Sequence, residues 1–337
     1  MLTANRNLLS VGERELTMEG GESFGRDIVK GLMSGQKYLQ SKYFYDKEGD
    51  RLFQQIMNCE EYYPFNCELE IFTQQAGTLA DMIMKLQPEF DLIELGAGDC
   101  TKSIYLLREL VRRKANFNYM PIDISANIID YLTTHLPSEI PGIKVKGLRG
   151  EYLDMLGYTA KCSNKRKVLL FLGSNLGNML PEEAAVFCSQ VRSHLQPGDL
   201  AIIGIDLKKN PSVIIAAYND KDKFTREFNL NLLRRINREL KANFDLTKFD
   251  HFPIYDPSTG ACRSFLISLA DQLVSIATES GPVMISFREN EEIFMEISQK
   301  YTVGEMESLG ENASFCTVNN IFDQKRWFMD TIWEAVQ

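Results

Sequence analysis

The chain has 337 residues, 44% hydrophobic and 25% charged, so it can bury a sizeable core, and its length suits two domains. The formal net charge is −9 at pH 7, and a surface of that sign repels phosphate backbones, which argues against a nucleic-acid partner. No stretch reaches the roughly 18 to 20 apolar residues that span a bilayer, so no membrane partner is expected.

The first part of the chain is predicted to be helical. Short helices are predicted over 24–40 and 50–57, and a longer one over 68–86, where apolar residues recur near helical spacing. From residue 91, apolar strands of 5 to 7 residues alternate with helices, which indicates βαβ units and a parallel sheet. The predicted strands are 91–95, 118–124, 143–148, 167–172 and 199–206.

After residue 207 this alternation stops. The predicted elements there are a helical region at 212–241, consecutive antiparallel strands at 262–270, 272–277 and 282–288, and a helix at 290–300. The chain is therefore predicted to be an α/β protein with a Rossmann-like core and an inserted second α+β domain. The predicted boundaries are 67–207 and 300–337 for the core, and 10–66 and 208–299 for the second domain.

The cysteines and histidines limit the kinds of disulfide and metal site that the chain could form. The seven cysteines form no CxxC pair, a pattern typical of reduced thiols in a cytosol rather than of a disulfide framework or zinc site. None of the three histidines lies at metal-ligand spacing from another, so we assign no metal site, although a carboxylate site for magnesium stays open. The N-terminal residues lack a long apolar run, so we expect no signal peptide and a cytoplasmic location.

A glycine motif closes the first strand of the alternating region. Gly96 and Gly98, in Glu-Leu-Gly-Ala-Gly, allow close approach of a ligand to the backbone just before a helix. Thr101 and Lys102 follow where the third glycine of GxGxxG would serve a pyrophosphate. The motif therefore favours S-adenosylmethionine, a nucleoside without phosphates, over NAD. The alternative is a strand-to-helix turn that needs glycine for geometry alone.

Acidic and small polar residues follow the next strands. Asp123 ends the second strand, where a carboxylate suits the ribose hydroxyls, although it could instead cap the following helix. Glu151 follows the third strand, as an acceptor for an adenine amine or as a solvated loop charge. The segment 171–178 ends the fourth strand with two glycines and two asparagines, which suits both turn geometry and ligand contact.

At this point the chain resembles a known family, the histidine Nα-methyltransferases of ergothioneine biosynthesis. These enzymes convert histidine to its trimethylated betaine, hercynine. The resemblance covers nearly the whole chain and is most specific at 43–46, 61–64, 94–98, 171–178 and 217–220. It implies a Rossmann-like class I methyltransferase core, a substrate-binding second domain and S-adenosyl-L-methionine as cofactor. The implied cofactor-binding residues are Gly96, Gly98, Lys102, Asp123, Glu151 and Tyr152.

The resemblance also implies roles toward a small amino-acid substrate. Tyr45, beside Phe53, and the Gly173 backbone would border the amine, and Asn178 would serve both the reaction and the carboxylate. The implied substrate-binding residues are Tyr62, Asn178, Tyr218, Ser264, Glu296 and Ser298, the last two recognising the imidazole. On the sequence alone, Tyr62 and Tyr218 could be core aromatics, and Glu296 a solvated helix charge.

The predicted function is methyl transfer to the α-amino group of L-histidine by a monomeric enzyme. Ser264 departs from the family pattern, because the histidine enzymes usually carry a large methionine there. A methyltransferase for another amino acid, such as tyrosine or tryptophan, therefore remains an alternative. A non-catalytic amino-acid-binding protein is a third, against which Gly96, Gly98, Asp123 and Asn178 all argue.

Overall fold

A computed structural model describes residues 23–86 and 88–337, which form two compact units. The Rossmann unit consists of residues 63–211, 256–261 and 297–337. The α+β unit consists of residues 23–62, 212–255 and 262–296. Residues 10–22 of the predicted second domain lie outside the described residues, and the predicted domain boundaries stay a prediction.

Helices and strands are numbered in chain order. The helices are α1 (23–32), α2 (Lys47–Met57), α3 (Tyr63–Leu86), α4 (Ile104–Arg112), α5 (Ala126–Glu139), α6 (Tyr152–Cys162), α7 (Pro181–Ser193), α8 (Pro211–Tyr218), α9 (Phe224–Glu239) and α10 (Val303–Asn312). The strands are β1 (Lys37–Tyr38), β2 (Glu89–Leu95), β3 (Asn116–Asp123), β4 (Leu148–Arg149), β5 (Arg166–Phe171), β6 (Leu200–Asp206), β7 (Phe249–Asp256), β8 (Ala261–Ser268), β9 (Gln272–Thr278), β10 (Gly281–Phe287), β11 (Glu292–Gln299), β12 (Phe315–Phe322) and β13 (Phe328–Ala335).

The Rossmann unit is built on a seven-stranded sheet in the order β12-β13-β6-β5-β2-β3-β4. Strands β2 to β6 pair in parallel, and β13 runs antiparallel to both of its neighbours. Strands β2, β5 and β6 are almost wholly buried, because helices cover both faces of such a sheet. This topology confirms the predicted Rossmann-like class I methyltransferase core.

The α+β unit carries a four-stranded sheet in the order β1-β11-β8-β7 and a separate antiparallel hairpin of β9 and β10. The predicted run of three consecutive antiparallel strands is thus only partly correct, since β8 belongs to the other sheet. The predicted helix at 290–300 is wrong, because this segment is strand β11. Ile293, Met295 and Ile297 are buried and alternate with more exposed residues, which is the period of a strand.

Asp46 joins two helices of the α+β unit. Its carboxylate caps α2 by accepting the Gly49 N–H at 2.8 Å, and it also accepts Asn231 Nδ2 at 2.8 Å and Arg238 Nη2 at 2.6 Å from α9. Gly49 lies in the first turn of α2, where an added Cβ would overlap the backbone carbonyl oxygen of Phe44. The turn therefore requires glycine at this position.

We expect Gly49→Ala to lower the melting temperature. Alanine favours helix by up to about 1 kcal/mol, but a clash with backbone that cannot move aside costs about 1–3 kcal/mol or more. Thermal unfolding followed by circular dichroism measures the difference. Gly35→Ala is the matched control, because a Cβ there meets nothing within 4 Å. Equal melting temperatures for the two variants would contradict this account.

Glu94, on β2, is a buried carboxyl group directly before the glycine loop at 96–98. It accepts the Tyr119 hydroxyl at 2.6 Å and a hydrogen bond from Ser103. Burial outweighs these hydrogen bonds and raises the pKa of Glu94 to about 7. The folded protein therefore favours the protonated carboxyl, whereas the unfolded chain ionises it at its ordinary value of 4.5.

Glu94 should consequently make stability depend on pH. Its contribution is lost as pH rises from the unfolded pKa to the folded one, so the protein should gain more from Glu94→Gln at pH 8 than at pH 5. Glutamine keeps the acceptor for Tyr119 and carries no charge. Melting temperatures of both proteins across this range measure the gap, which should widen with pH. Glu89→Gln, at the exposed start of β2, is the control, and a constant gap for Glu94→Gln would refute the assignment.

Candidate active site

The strand order of the Rossmann unit reverses at β2, which has β3 on one side and β5 on the other. In open α/β sheets, ligands bind outside the carboxyl ends of the strands at such a switch point. The loops after β2 and β5 carry Gly96, Gly98 and Lys102, and Gly173 and Asn178, respectively. The predicted cofactor and reaction residues of these loops therefore share one edge of the sheet.

Both glycines of the first loop adopt left-handed backbone conformations. Gly96 has φ of 68°, and an added Cβ would lie 2.6 Å from the hydroxyl oxygen of Tyr152. Gly98 has φ of 52°, and a Cβ there meets nothing within 4 Å, so only the backbone conformation requires glycine. Glycine is thus needed at position 96 for both the close contact with Tyr152 and the backbone conformation, and at position 98 for the backbone conformation alone.

Asp123 lies at the end of β3, beside the glycine loop. Its carboxylate accepts the Ser125 N–H at 2.9 Å and the Gly98 N–H at 3.4 Å. The hydroxyl of Ser125 caps α5, so Asp123 does not serve as the helix cap. A half-buried carboxylate with four lone-pair sites retains capacity for ribose hydroxyls.

Glu151 and Tyr152 follow β4 and begin α6. The Gly150 N–H donates to the Asp123 carbonyl oxygen at 3.1 Å, and this bond joins the end of β4 to the end of β3. The exposed Glu151 is the next residue in the chain. Burial, followed by the charges of Asp123 and Glu151, raises the pKa of Tyr152 to about 12. The Tyr152 hydroxyl therefore stays protonated and can donate a hydrogen bond. Its ring contacts Phe171 edge-on at 5.9 Å.

Glu68, on α3, has a site role that the sequence did not reveal. Its fully buried carboxylate forms an ion pair with Lys102 and accepts the Gly173 N–H at 2.8 and 2.9 Å on its two oxygens. The sequence assigns Glu68 no function. Its partners lie 34 and 105 residues away, so no local pattern could have identified them.

The second loop is held in an unusual conformation. Ser174 has φ of 57°, and its hydroxyl accepts the Asp206 N–H at 3.1 Å. A Cβ on Gly177 would lie 2.7 Å from the carbonyl oxygen of Gln299, so this glycine is needed for close packing. Asn178 ends the short 3₁₀ helix of this loop and is exposed.

Ser298 is held by a buried ammonium group of the same unit. Lys300 Nζ, wholly buried, donates to the Ser298 hydroxyl at 2.8 Å and pairs with Asp206 at 2.7 Å. Burial alone would raise the pKa of Asp206, but Lys300 and Lys209 outweigh it and hold that pKa below its usual value. An ammonium group can only donate, so the Ser298 hydroxyl accepts this hydrogen bond.

In the α+β unit, four predicted substrate-site aromatics form a continuous series of ring contacts. Tyr45 contacts Phe53 at 5.6 Å, Phe53 contacts Tyr62 at 6.5 Å, and Tyr62 contacts Tyr218 at 6.3 Å, all edge-on. Tyr45 is 48% exposed, whereas Tyr218 is 9% exposed. These residues come from two segments of the chain, 23–62 and 212–255, and the fold assembles them into one cluster.

Ser264 and Glu296 lie on strands of the same unit. Ser264 is buried in β8, and Glu296 is half-buried in β11. The alternative in which Glu296 is a solvated helix charge is therefore wrong, because the segment is a strand.

The described residues offer neither a cluster of metal ligands nor a membrane-spanning helix. Residues 23–86 and 88–337 contain no group of three or more His, Cys, Asp or Glu side chains that could hold a metal ion. In the same residues, no helix combines the length and apolar character needed to cross a membrane.

Comparison with known proteins places this geometry in a family. The family described as "Histidine-specific methyltransferase, SAM-dependent" matches residues 24–335. The histidine N-alpha-methyltransferase of Mycolicibacterium smegmatis is 33% identical over 285 residues, covering 83% of this chain and 85% of the relative. The enzyme of that name from Mycobacterium tuberculosis is 31% identical, covering 82% and 84%. A 4-dimethylallyltryptophan N-methyltransferase of Claviceps fusiformis is 28% identical, covering 58% and 57%.

The match spans every residue predicted for the cofactor and substrate sites. The chain therefore belongs to the S-adenosylmethionine-dependent, histidine-specific methyltransferases.

Proposed function

We propose that this enzyme transfers methyl groups from S-adenosylmethionine to the α-amino group of L-histidine, giving the trimethylated betaine hercynine. The match of residues 24–335 to the histidine-specific family carries the proposal. The names of the two mycobacterial relatives, which align over more than four fifths of this chain, support the same substrate.

The cofactor would be held by the loops after β2, β3 and β4. In this assignment Asp123 accepts the ribose hydroxyls, Glu151 accepts the adenine amine, and the backbone at Gly96 and Gly98 allows close approach. Lys102 and the protonated hydroxyl of Tyr152 supply donors. The cofactor supplies an electrophilic methyl group carried on a sulfonium.

The protein's task is to bind the amino acid, orient its amine and keep that amine unprotonated. We assign the carboxylate to Asn178 and Tyr218, neutral donors that leave the amine able to rotate between successive methylations. The backbone of Gly173 and the ring of Tyr45 border the amine, and the half-exposed Tyr45 hydroxyl accepts the proton released by the amine while it donates its own to water. Alignment of the reacting groups supplies most of the acceleration in such a transfer.

Recognition of the side chain is assigned to Tyr62, Glu296 and Ser298. A carboxylate such as Glu296 accepts an imidazole N–H. Ser298, whose hydroxyl is held by Lys300, is assigned to the imidazole as well.

Ser264 supports a second candidate, a methyltransferase for a different aromatic amino acid. It is 2% exposed, and a serine fills less volume than the methionine usual in the histidine enzymes. One similar chain is named as a 4-dimethylallyltryptophan N-methyltransferase, so the names of related chains include substrates other than histidine.

We also propose that the enzyme works as a monomer in the cytoplasm, without a nucleic-acid or membrane partner. The net charge of −9 and the absence of paired cysteines from the sequence support this setting.

A panel of the twenty amino acids, each incubated with the purified enzyme and S-adenosylmethionine, tests the substrate. Mass spectrometry should find products with one, two and three added methyl groups, with trimethylated histidine dominating. Dominance of tryptophan or tyrosine would contradict the histidine assignment and support the second candidate. Silence with all twenty would contradict both.

Glu296→Ala should raise the KM for histidine by at least about tenfold, since the substrate loses a charge-assisted hydrogen bond. The affinity for S-adenosylhomocysteine, measured by calorimetry, should not change. Glu292→Ala removes an exposed carboxylate from the same strand and serves as the control. An unchanged KM for Glu296→Ala would remove this residue from the imidazole site.

A further inference from the structure

Glu68 connects the two loops that flank the switch point of the sheet. Lys102 belongs to the loop after β2, and Gly173 belongs to the loop after β5. One carboxylate from α3 forms an ion pair with the first and accepts the backbone N–H of the second on both oxygens, at 2.8 and 2.9 Å. The carboxylate thus fixes the separation of a proposed cofactor residue and a proposed amine-bordering residue.

The surrounding sequence makes room for this carboxylate. Gly204, on β6, faces it so closely that an added Cβ would overlap Glu68 Oε1. The same Cβ would lie 3.0 Å from Oδ1 of Asp330 on β13. Glu68 and Asp330 are both fully buried. Position 204 therefore requires glycine, because the carboxyl groups of Glu68 and Asp330 occupy the space beside it.

Two buried carboxylates beside one lysine would leave an uncompensated charge, which is costly. Burial, followed by the negative charge of Glu68, raises the pKa of Asp330 well above its usual value. Neither side-chain oxygen of Asp330 has a hydrogen-bond partner in the described residues, so no donor stabilises its ionised form. Burial and the neighbouring carboxylate therefore both favour the protonated, neutral form of Asp330.

We propose that Glu68 is a positioning residue for methyl transfer, which holds Lys102 and the Gly173 backbone in their active arrangement. The inference rests on the proposed function, since it takes the roles of Lys102 and Gly173 from there. Glu68 does not touch the reacting atoms in this proposal. It acts through the two loops.

Isosteric substitutions at the two carboxyl groups separate this role from general packing. Glu68→Gln keeps the volume but removes the charge that pairs with Lys102, and it turns one of the two oxygens that accept the Gly173 N–H into an NH₂ group. Asp330→Asn also keeps the volume and is neutral, and it changes neither of the contacts that Glu68 makes with the two loops. The two changes are chemically alike, yet only the first should disturb the loops.

The experiment compares kcat with histidine, and the dissociation constant of S-adenosylhomocysteine, in the full chain at a temperature well below unfolding. Glu68→Gln should lower kcat and raise the dissociation constant, each by at least about tenfold. Asp330→Asn should stay within about threefold for both quantities. Glu70→Gln, on the same helix, is the matched control and should behave as the wild type.

The proposal would be overturned by folded Glu68→Gln with both quantities within about threefold of the wild type, or by equal losses in Asp330→Asn. A merely structural role would lower the melting temperature and leave both quantities intact. If Glu68→Gln does not fold, Glu68→Asp decides, because its shorter side chain keeps the charge but falls short of the loops. Loss of kcat then supports positioning, and retained kcat refutes it.

The binding measurement needs no amino acid, so it separates this proposal from the proposed function. A wild-type enzyme that binds S-adenosylhomocysteine but methylates no histidine would refute the substrate assignment. The comparison of dissociation constants would still decide whether Glu68 positions Lys102.

Discussion

Six strands that run in the same direction determine where this protein can do chemistry. Because only β13 is reversed, the carboxyl ends of β2, β3, β4 and β5 meet at one edge of the sheet. Strands β2 and β5 are followed by Gly96 and Gly173, whose left-handed backbone angles other residues rarely adopt, and β3 ends in Asp123. The positions of Gly96, Asp123 and Gly173 all follow from this single constraint.

Near that edge the protein buries several ionisable groups, and the energetic cost of burying each one is offset in a different way. Glu94 is favoured in its protonated form, Glu68 is paired with Lys102, and Asp206 is held ionised by two lysines. An uncompensated charge in such surroundings would cost several kcal/mol, so these arrangements are requirements of folding as well as of function. Their common effect is to fix the loops that follow β2, β5 and β6.

The sequence was sufficient for features with a local pattern. The alternation of apolar strands and helices predicted the parallel sheet, and the glycines at 96 and 98 predicted a close-approach loop. It failed at 290–300, where glutamates suggested a helix surface although Ile293, Met295 and Ile297 alternate as in a strand. Glu68 could not be interpreted, because its meaning depends on partners that only the fold brings together. Asp46 was likewise visible only as part of a motif, and the structure gives it the task of joining α2 to α9.

The contact between Lys300 and Ser298 gives the proposed imidazole site a fixed point. A wholly buried ammonium group donates to the Ser298 hydroxyl at 2.8 Å and pairs with Asp206 at 2.7 Å. The position of Ser298 is therefore set by a buried charge pair of the Rossmann unit. Loss of Lys300 would release the Ser298 hydroxyl and leave Lys209 as the lysine paired with Asp206. Under the proposed assignment, Lys300 would thus affect recognition of the imidazole by anchoring one hydroxyl.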